Sequence, residues 1–203
     1  MTCQESGGGK SPRELAKACN EGRMVKLWVG LLTTLTILVG HGEASACKPE
    51  LDGYVQNLAQ GRPTFQSSVY SHPIVGLASN AVDGSCNGDW YAKSCIHTNN
   101  DLEPWWYVDL GDRYGIGAVV MKNRGDCCGE RLDGAQVYVG NDIADPKSNF
   151  YCGPITDTSL GSVNTISCYG YEGQYVFIII PGRQEYLHIC EVEVFGIKGC
   201  PMR

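Results

Sequence analysis

The chain offers no apolar run long enough to cross a bilayer comfortably, no surplus of positive charge and no sustained helical periodicity. Its longest apolar stretch, Leu27 to Val39, falls short of the ~20 residues that a transmembrane helix needs. With 16 Lys and Arg against 22 Asp and Glu, the net charge is −6, so nucleic acid and anionic membranes are not expected partners. No internal repeat and no linker interrupts the sequence, which argues for one module. Beyond residue 46 there is no Asn-x-Ser/Thr acceptor, and hence no N-glycan is expected.

What is present begins with a leader. Arg23, Met24 and Lys26 precede the apolar run, which ends near Ala44-Ser45-Ala46: a basic start, an apolar core and a small-x-small cleavage site, the shape of a secretory signal peptide. Residues 24–46 are expected to be this signal, cleaved after Ala46. Residues 1–23, polar and Gly-rich, are unusual ahead of a signal and fit an upstream start. A lipidated Cys47 is the alternative, disfavoured because Ala44 stands where such signals carry leucine. The remaining stretch, 47–203, suits a single secreted, extracellular domain. It holds nine of the 11 cysteines, which in an oxidising compartment should mostly form disulfides.

Short β-rich runs recur between turn signals: Thr64 to Tyr70, Trp105 to Leu110, Ile116 to Met121, Ala135 to Val139, Tyr175 to Ile180 and Glu191 to Phe195. Gly111-Asp112, Gly140-Asn141-Asp142 and Pro181-Gly182 punctuate them. In Glu191-Val192-Glu193-Val194-Phe195 the valines face one way and the glutamates the other. Val176 to Ile180, apolar on both faces, reads as a central strand. Strands at this spacing without helices predict an all-β, antiparallel sandwich or barrel.

The chemistry concentrates in Arg124-Gly125-Asp126-Cys127-Cys128-Gly129-Glu130-Arg131, with His97 upstream. Cα atoms across a trans peptide are about 3.8 Å apart, less than the usual disulfide separation of roughly 4.4–6.8 Å. A bridge between Cys127 and Cys128 would therefore close a strained ring, and strain of this kind marks functional sites. The two cysteines could instead bridge to distant partners. A closed ring would give a rigid apolar patch flanked by two guanidinium forks, suited to a ligand with one greasy face and several hydroxyls. A sugar is such a ligand.

Twenty-six residues separate His97 from Arg124, one separates Arg124 from Asp126, and four separate Asp126 from Arg131. This spacing resembles the signature of the F-type lectins, or fucolectins. So do Asn57-Leu58-Ala59, Gly61-Arg62-Pro63-Thr64, Ala81-Val82-Asp83-Gly84, Trp105-Trp106-Tyr107-Val108-Asp109-Leu110 and Glu191-Val192-Glu193-Val194-Phe195-Gly196. The resemblance spans roughly Val55 to Ile197 and implies a jelly-roll β-sandwich of the discoidin kind. It implies further that His97, Arg124 and Arg131 hydrogen-bond the ring oxygen and the 3- and axial 4-hydroxyls of α-L-fucose. Arginine suits this because its donors are planar and permanently charged. Asp126 is expected to pair with the arginines, and Cys127 and Cys128 to pack on the apolar edge of the sugar. His72, Trp90 and Tyr91 are candidates to enclose its methyl group.

The same resemblance implies a calcium ion beside Asn80, Asp83, Ser85, Ser94, Cys190 and Glu191, the oxygen-rich surroundings that calcium prefers. Ser85, where the family often has asparagine, and the adjacent Cys86 depart from that pattern. It also implies bridges Cys95–Cys190, Cys152–Cys168 and Cys127–Cys128. Cys47 and Cys200, near the two ends of the domain, are then expected to pair, leaving Cys86 odd. The implied function is a secreted, calcium-containing lectin for fucosylated glycans, not an enzyme, working in innate recognition or agglutination, with a homo-oligomer supplying avidity. Asp126 and Glu130 among arginines would stay ionised and serve poorly as the acid of a glycosidase. A discoidin-like phospholipid- or protein-binding module is the alternative, and the acidic composition weighs against it. The tripeptide Arg124-Gly125-Asp126 is also an integrin motif, but an arginine held in a pocket by its own aspartate would not project from a loop.

Overall fold

The computed structural model describes Cys47 and residues 54–197, without the side chains of 54–56. The leader and Cys200 lie outside the described residues. Nine strands follow one another: β1 (Tyr54–Asn57), β2 (Thr64–Gln66), β3 (Asn100–Leu102), β4 (Trp105–Lys122), β5 (Gln136–Gly140), β6 (Phe150–Pro154), β7 (Val163–Ile179), β8 (Gln184–Tyr186) and β9 (Glu191–Ile197). Among the described residues the only helical turns are short 3-10 segments. The pairings are antiparallel, in the order β1-β9-β4-β7-β5-β6 with β2 also on β4, while β3 and β8 form a separate ribbon.

Two long strands, β4 and β7, build both layers of the sandwich. The first part of β4 lies between β2 and the last part of β7, which carries β5 and β6. The remainder lies between β9 and the first part of β7. The change of layer falls at register shifts between Asp109 and Tyr114 and between Ile116 and Ala118. Glycine is required there. Gly170 has φ +82°, and a Cβ on Gly173 would stand 2.6 Å from the Gly140 nitrogen, a contact no side chain tolerates.

Period-two alternation fills the space between the layers. Trp106, Val108 and Leu110 of β4 meet Val137 and Val139 of β5, Val176 and Ile178 of β7, and Val192 and Val194 of β9, all fully buried. Each such side chain contributes about 1.5–3 kcal/mol on burial. The other faces of β4, β5 and β7 carry Tyr107, Tyr138 and Phe177, which form a second cluster with Trp105, Tyr175 and Ile179. Val176 to Ile180 is buried on both faces and central, as its composition predicts. Glu191 and Glu193 do face away from the two valines, yet they too are buried.

Several boundaries differ from those expected of the sequence. Trp105–Leu110 and Ile116–Met121 are one strand of 18 residues, because Gly111 at φ +81° turns the expected break into a bulge. β2 stops at Gln66, where the Ser67 and Ser68 hydroxyls turn aside to Asp101.

The bridges Cys95–Cys190, Cys127–Cys128 and Cys152–Cys168 form as expected. Cys152 on β6 and Cys168 on the first part of β7 join the two layers. The expected pairing of Cys47 with Cys200 is wrong: Cys47 bridges Cys86, so Cys86 is not left over. The cause is visible in the backbone. The Cys47 N–H donates to the Glu193 carboxylate, 3.2 Å away, which seats Cys47 beside β9 and the loop holding Cys86.

Proteolysis without reduction, followed by mass spectrometry, should recover Cys47 joined to Cys86; a Cys47–Cys200 peptide would overturn that linkage. Gly173→Ala should destabilise the domain by roughly 1–3 kcal/mol through overpacking at the bend, read as a lower Tm; an unchanged Tm would show that β5 yields there.

Candidate functional site

The site forms where the end of β4 and the start of β9 meet the loops before β3, β5 and β9. Lys122 of β4 pairs with Glu191 of β9, and the next residue, Asn123, anchors the turn beyond it. Its fully buried amide donates to the carbonyls of Gly129, Thr158 and Ser159, and its oxygen accepts from the Arg124 N–H at 2.7 Å. The turn is so tight that a Cβ on Gly129 would lie 2.4 Å from the Thr158 oxygen. Between these anchors sits the Cys127–Cys128 ring, with Cys128 at φ +62°, a left-handed conformation costly for a residue other than glycine.

Arg124 is held by Asp126 in a two-pronged ion pair, Nε to Oδ1 at 2.8 Å and Nη2 to Oδ2 at 2.6 Å. Asp126 Oδ1 also accepts from the Trp90 N–H at 3.0 Å. The hydrogen bonds from Arg124 hold the Asp126 carboxyl down at about 2. Arg124 is 7% exposed and lies 5.3 Å over the Trp90 ring, so the Arg-Gly-Asp tripeptide presents no free arginine. Asp126 pairs with Arg124 alone. Arg131 has Glu185 at 3.9 Å and stacks 4.7 Å from the Tyr186 ring.

His97 is buried between these cations. Segment 96–98 is hydrogen-bonded to 187–189 through Ile96 N to Ile189 O and Thr98 N to Leu187 O, which brings His188 beside it, 5.7 Å between ring centres. Tyr70 stacks on His97 at 4.5 Å, while Trp90 and Tyr186 meet it edge-on. The Nδ1 of His97 lies 2.7 Å from the Thr98 carbonyl. A carbonyl only accepts, so Nδ1 carries the proton and Nε2 is left as a lone-pair acceptor. Burial above all, with the charges of Arg124, Arg131 and His72, lowers His97 to about 4. The site thus joins one neutral acceptor to two permanent donors.

Of the apolar candidates, Trp90 is buried against Ile74, Cys95 and Cys190. It packs so closely that a Cβ on Gly76 would fall 2.9 Å from its ring. His72 stands 6.1 Å from Trp90, ring to ring, with its Nδ1 accepting from the Ile74 N–H. Tyr91 is 70% exposed.

Tyr70, Asn123, Glu185, Tyr186 and His188 are site residues that the sequence did not disclose. One signal was there for two of them: Tyr186 and His188 alternate with the core residues Leu187 and Ile189, so they share the opposite face. His188 is fully buried and approaches the Cys128 backbone, yet neither ring nitrogen has a partner in hydrogen-bond geometry. Burial chiefly lowers it to about 3.

The oxygen-rich group lies behind Trp90. The Asn80 amide donates to Cys95 O at 3.1 Å, Ser85 N to Asp83 at 2.8 Å, Ser94 Oγ to Ser85 Oγ at 3.2 Å, and Gly84 N to Glu191 Oε1 at 3.2 Å. The Cys95–Cys190 bridge closes the group. Glu191 Oε2 is buried without a hydrogen-bond partner. Burial, with Asp83 and Glu193 close by, pushes Glu191 up to about 9, and burial also raises Asp83. Among the described residues no three His, Cys, Asp or Glu side chains are grouped to hold a metal. The fit to a cation therefore rests on the two carboxylates, the hydroxyls and the loop carbonyls, and an orphaned buried carboxylate oxygen is what a hard cation would satisfy.

Fold and site together define a galactose-binding-domain-like β-sandwich with a polar pocket at its loop end. A family model described as "NedA-like, galactose-binding domain" matches residues 80–178. The chain is 37% identical to Fucolectin-6 of Anguilla japonica over 88% of its own length and 96% of that protein. It is 39% identical to Fucolectin of Anguilla anguilla, covering 70% and 93%. The solved serum fucolectin of striped bass, Morone saxatilis, superposes with TM-score 0.66 at 38% identity, over 70% of this chain and 47% of that one. The chain belongs to the fucolectin family. It is a binding protein, not an enzyme.

Both buried histidines favour the folded state only while neutral. The unfolded chain takes up their protons near 6.5, whereas the folded one does so only near 4 and 3, so stability should fall as pH drops through this window. Tm measured from pH 7 to 4 should decline, less steeply in His188→Leu; equal slopes would remove His188 as a source of the decline.

Proposed function

We propose that the protein is a secreted, calcium-containing lectin that captures glycans ending in L-fucose. The observation that carries this is the convergence of the His97 Nε2 acceptor with the Arg124 and Arg131 guanidiniums beside the Cys127–Cys128 ring. An axial hydroxyl next to an equatorial one offers two acceptors on one side of a pyranose, and two fixed forks read that arrangement. His97, neutral and bare at Nε2, accepts a hydrogen bond from a sugar hydroxyl. The disulfide and the Trp90 side supply apolar contact for the deoxy edge, with His72 and Tyr91 flanking the methyl group. The fucolectin relatives support this reading, as does the lectin domain of lectinolysin solved with Lewis b antigen, 30% identical with TM-score 0.59.

Calcium would be held by Asp83 and Glu191 with Asn80, Ser85, Ser94 and Cys190 contributing oxygens. Its charge would keep Glu191 ionised and tie the Trp90 loop to β9. At about 0.4–0.5 kcal/mol per heavy atom over roughly eleven atoms, one fucose gains about −5 kcal/mol, a Kd on the order of 10⁻⁴ M. Capture of cells then needs several sites, for which a homo-oligomer is the economical arrangement. Recognition of microbial or host glycans in innate defence fits a secreted module of this kind.

His97→Ala and Arg131→Ala should each weaken retention on immobilised L-fucose by about 10–100-fold, the worth of a hydrogen bond involving a charged or buried partner, with circular dichroism unchanged. Full retention by either variant would count decisively against the pocket. Chelation should lower Tm and calcium restore it; coincident melts with and without the ion would remove the metal.

A further inference from the structure

We infer that the cleft between the β5–β6 loop and the bend of β7 is a second carbohydrate site, which takes a neutral pyranose against the Phe150–Tyr171 ring pair at the pole opposite the fucose pocket. It shares no residue with that pocket, so the two readings stand or fall separately.

The cleft has a volume of about 590 Å³, and Arg113, Asn141, Asp142, Phe150, Tyr171 and Glu172 are among the residues that line it. Small-ligand sites span roughly 300–1,000 Å³. Its place follows from the β4–β7 register: Lys122, at the fucose pocket, pairs with Val163, whereas Tyr114, next to Arg113, pairs with Gly173. At about 3.3 Å per residue, the strand between them spans roughly 25 Å.

One wall of the cleft is fixed in advance. The Asn149 side chain accepts from the Asp142 N–H at 3.0 Å and donates to the carbonyls of Asp142 at 2.7 Å and Pro146 at 3.0 Å, filling the space that a Cβ on Gly140 would need. The Asp142 carboxylate accepts from the N–H groups of Ala144 and Asp145 and from the Ser148 hydroxyl. The Gln174 N–H donates to Asn141 Oδ1 at 3.2 Å, which ties the loop to β7 and leaves Asn141 Nδ2 as a donor. A loop ordered by the fold spares a ligand the cost of ordering it.

The floor is aromatic and the rim is mixed. Phe150 and Tyr171 stack at 4.2 Å, 11° from parallel, and Tyr171 is 47% exposed. A half-bare ring backed by a second one is a flat apolar surface, which suits the C–H face of a pyranose. Beside it, Arg113 and Glu172 are exposed, and neither enters an ion pair among the described residues. A guanidinium only donates and a carboxylate only accepts, so together they serve hydroxyls, each of which does both. An acidic sugar would meet the carboxylates and a cationic one the guanidinium, which favours a neutral ligand. With a site at each pole, a single chain bridges two glycans.

The test is an NMR titration of the intact protein with L-fucose and with the methyl α- and β-pyranosides of D-glucose, D-galactose and D-mannose. Tyr171 and Glu172 signals report the cleft, and His97 signals report the fucose pocket. At least one of these sugars should shift the Tyr171 and Glu172 signals with a Kd of roughly 1–10 mM, as befits a monosaccharide in an open cleft. Tyr171→Ala should weaken that binding by about 10-fold and leave retention on immobilised L-fucose unchanged. Should Tyr171→Ala not fold, the exposed substitution Arg113→Gln replaces it, with a loss of about 3–10-fold expected. Signals that no sugar moves, or an affinity unchanged in the folded variant, would overturn the site.

Discussion

The paired grip of Asp126 on Arg124 is the interaction on which the pocket depends. It joins three pieces of chain that share no secondary structure: the end of β4, the turn carrying Cys127 and Cys128, and the Trp90 segment, whose backbone N–H rests on the same carboxylate. Gly125 N to Gly88 O, 2.7 Å, draws the last two together again. A guanidinium free to rotate would lose side-chain entropy on every encounter with a ligand. One already clamped has lost it during folding.

Around that clamp the site separates donors from acceptors. Arg124 and Arg131 can only donate, and His97 in its neutral tautomer can only accept at Nε2. A protonated imidazole beside two guanidiniums would be a third positive charge and would convert the pocket into an anion trap. Burial prevents this, because the cost of desolvating an imidazolium, added to repulsion by both arginines, exceeds the gain from the Thr98 carbonyl. The stacked Tyr70 and the edges of Trp90 and Tyr186 supply the dry walls. A domain of acidic composition thereby carries a small electropositive pocket suited to a polyol without charge.

Much of this was legible in the sequence, and the remainder was hidden for physical reasons. The His97, Arg124, Asp126 and Arg131 spacing foretold the cluster because the last three lie within eight residues of one another. β9 and the centre of β7 announced themselves by alternation and by apolarity on both faces. Tyr70 and Tyr186 come from segments 116 residues apart, and they reach one ring through the Tyr70 N–H on the His97 carbonyl and the ladder between 96–98 and 187–189. Asp126 was expected to serve both arginines, but the turn around Gly129 directs Arg131 toward Glu185. Cys47 was matched with Cys200 because the two ends of a jelly roll meet at adjacent strands. Cys47 lies instead against Glu193 of β9 and is bridged to Cys86, a juxtaposition no spacing rule contains.

Tyr54 and Ile197 are register partners, so the backbone enters and leaves the sandwich side by side. Ile197 ends a strand whose other end, Glu191, abuts the pocket, and the exit is therefore at the opposite pole. A tether, stalk or second module grafted after Ile197 would hang behind the receptor face without shading it. In the Pentraxin fusion protein of Xenopus laevis the segment similar to this domain makes up 32% of the length.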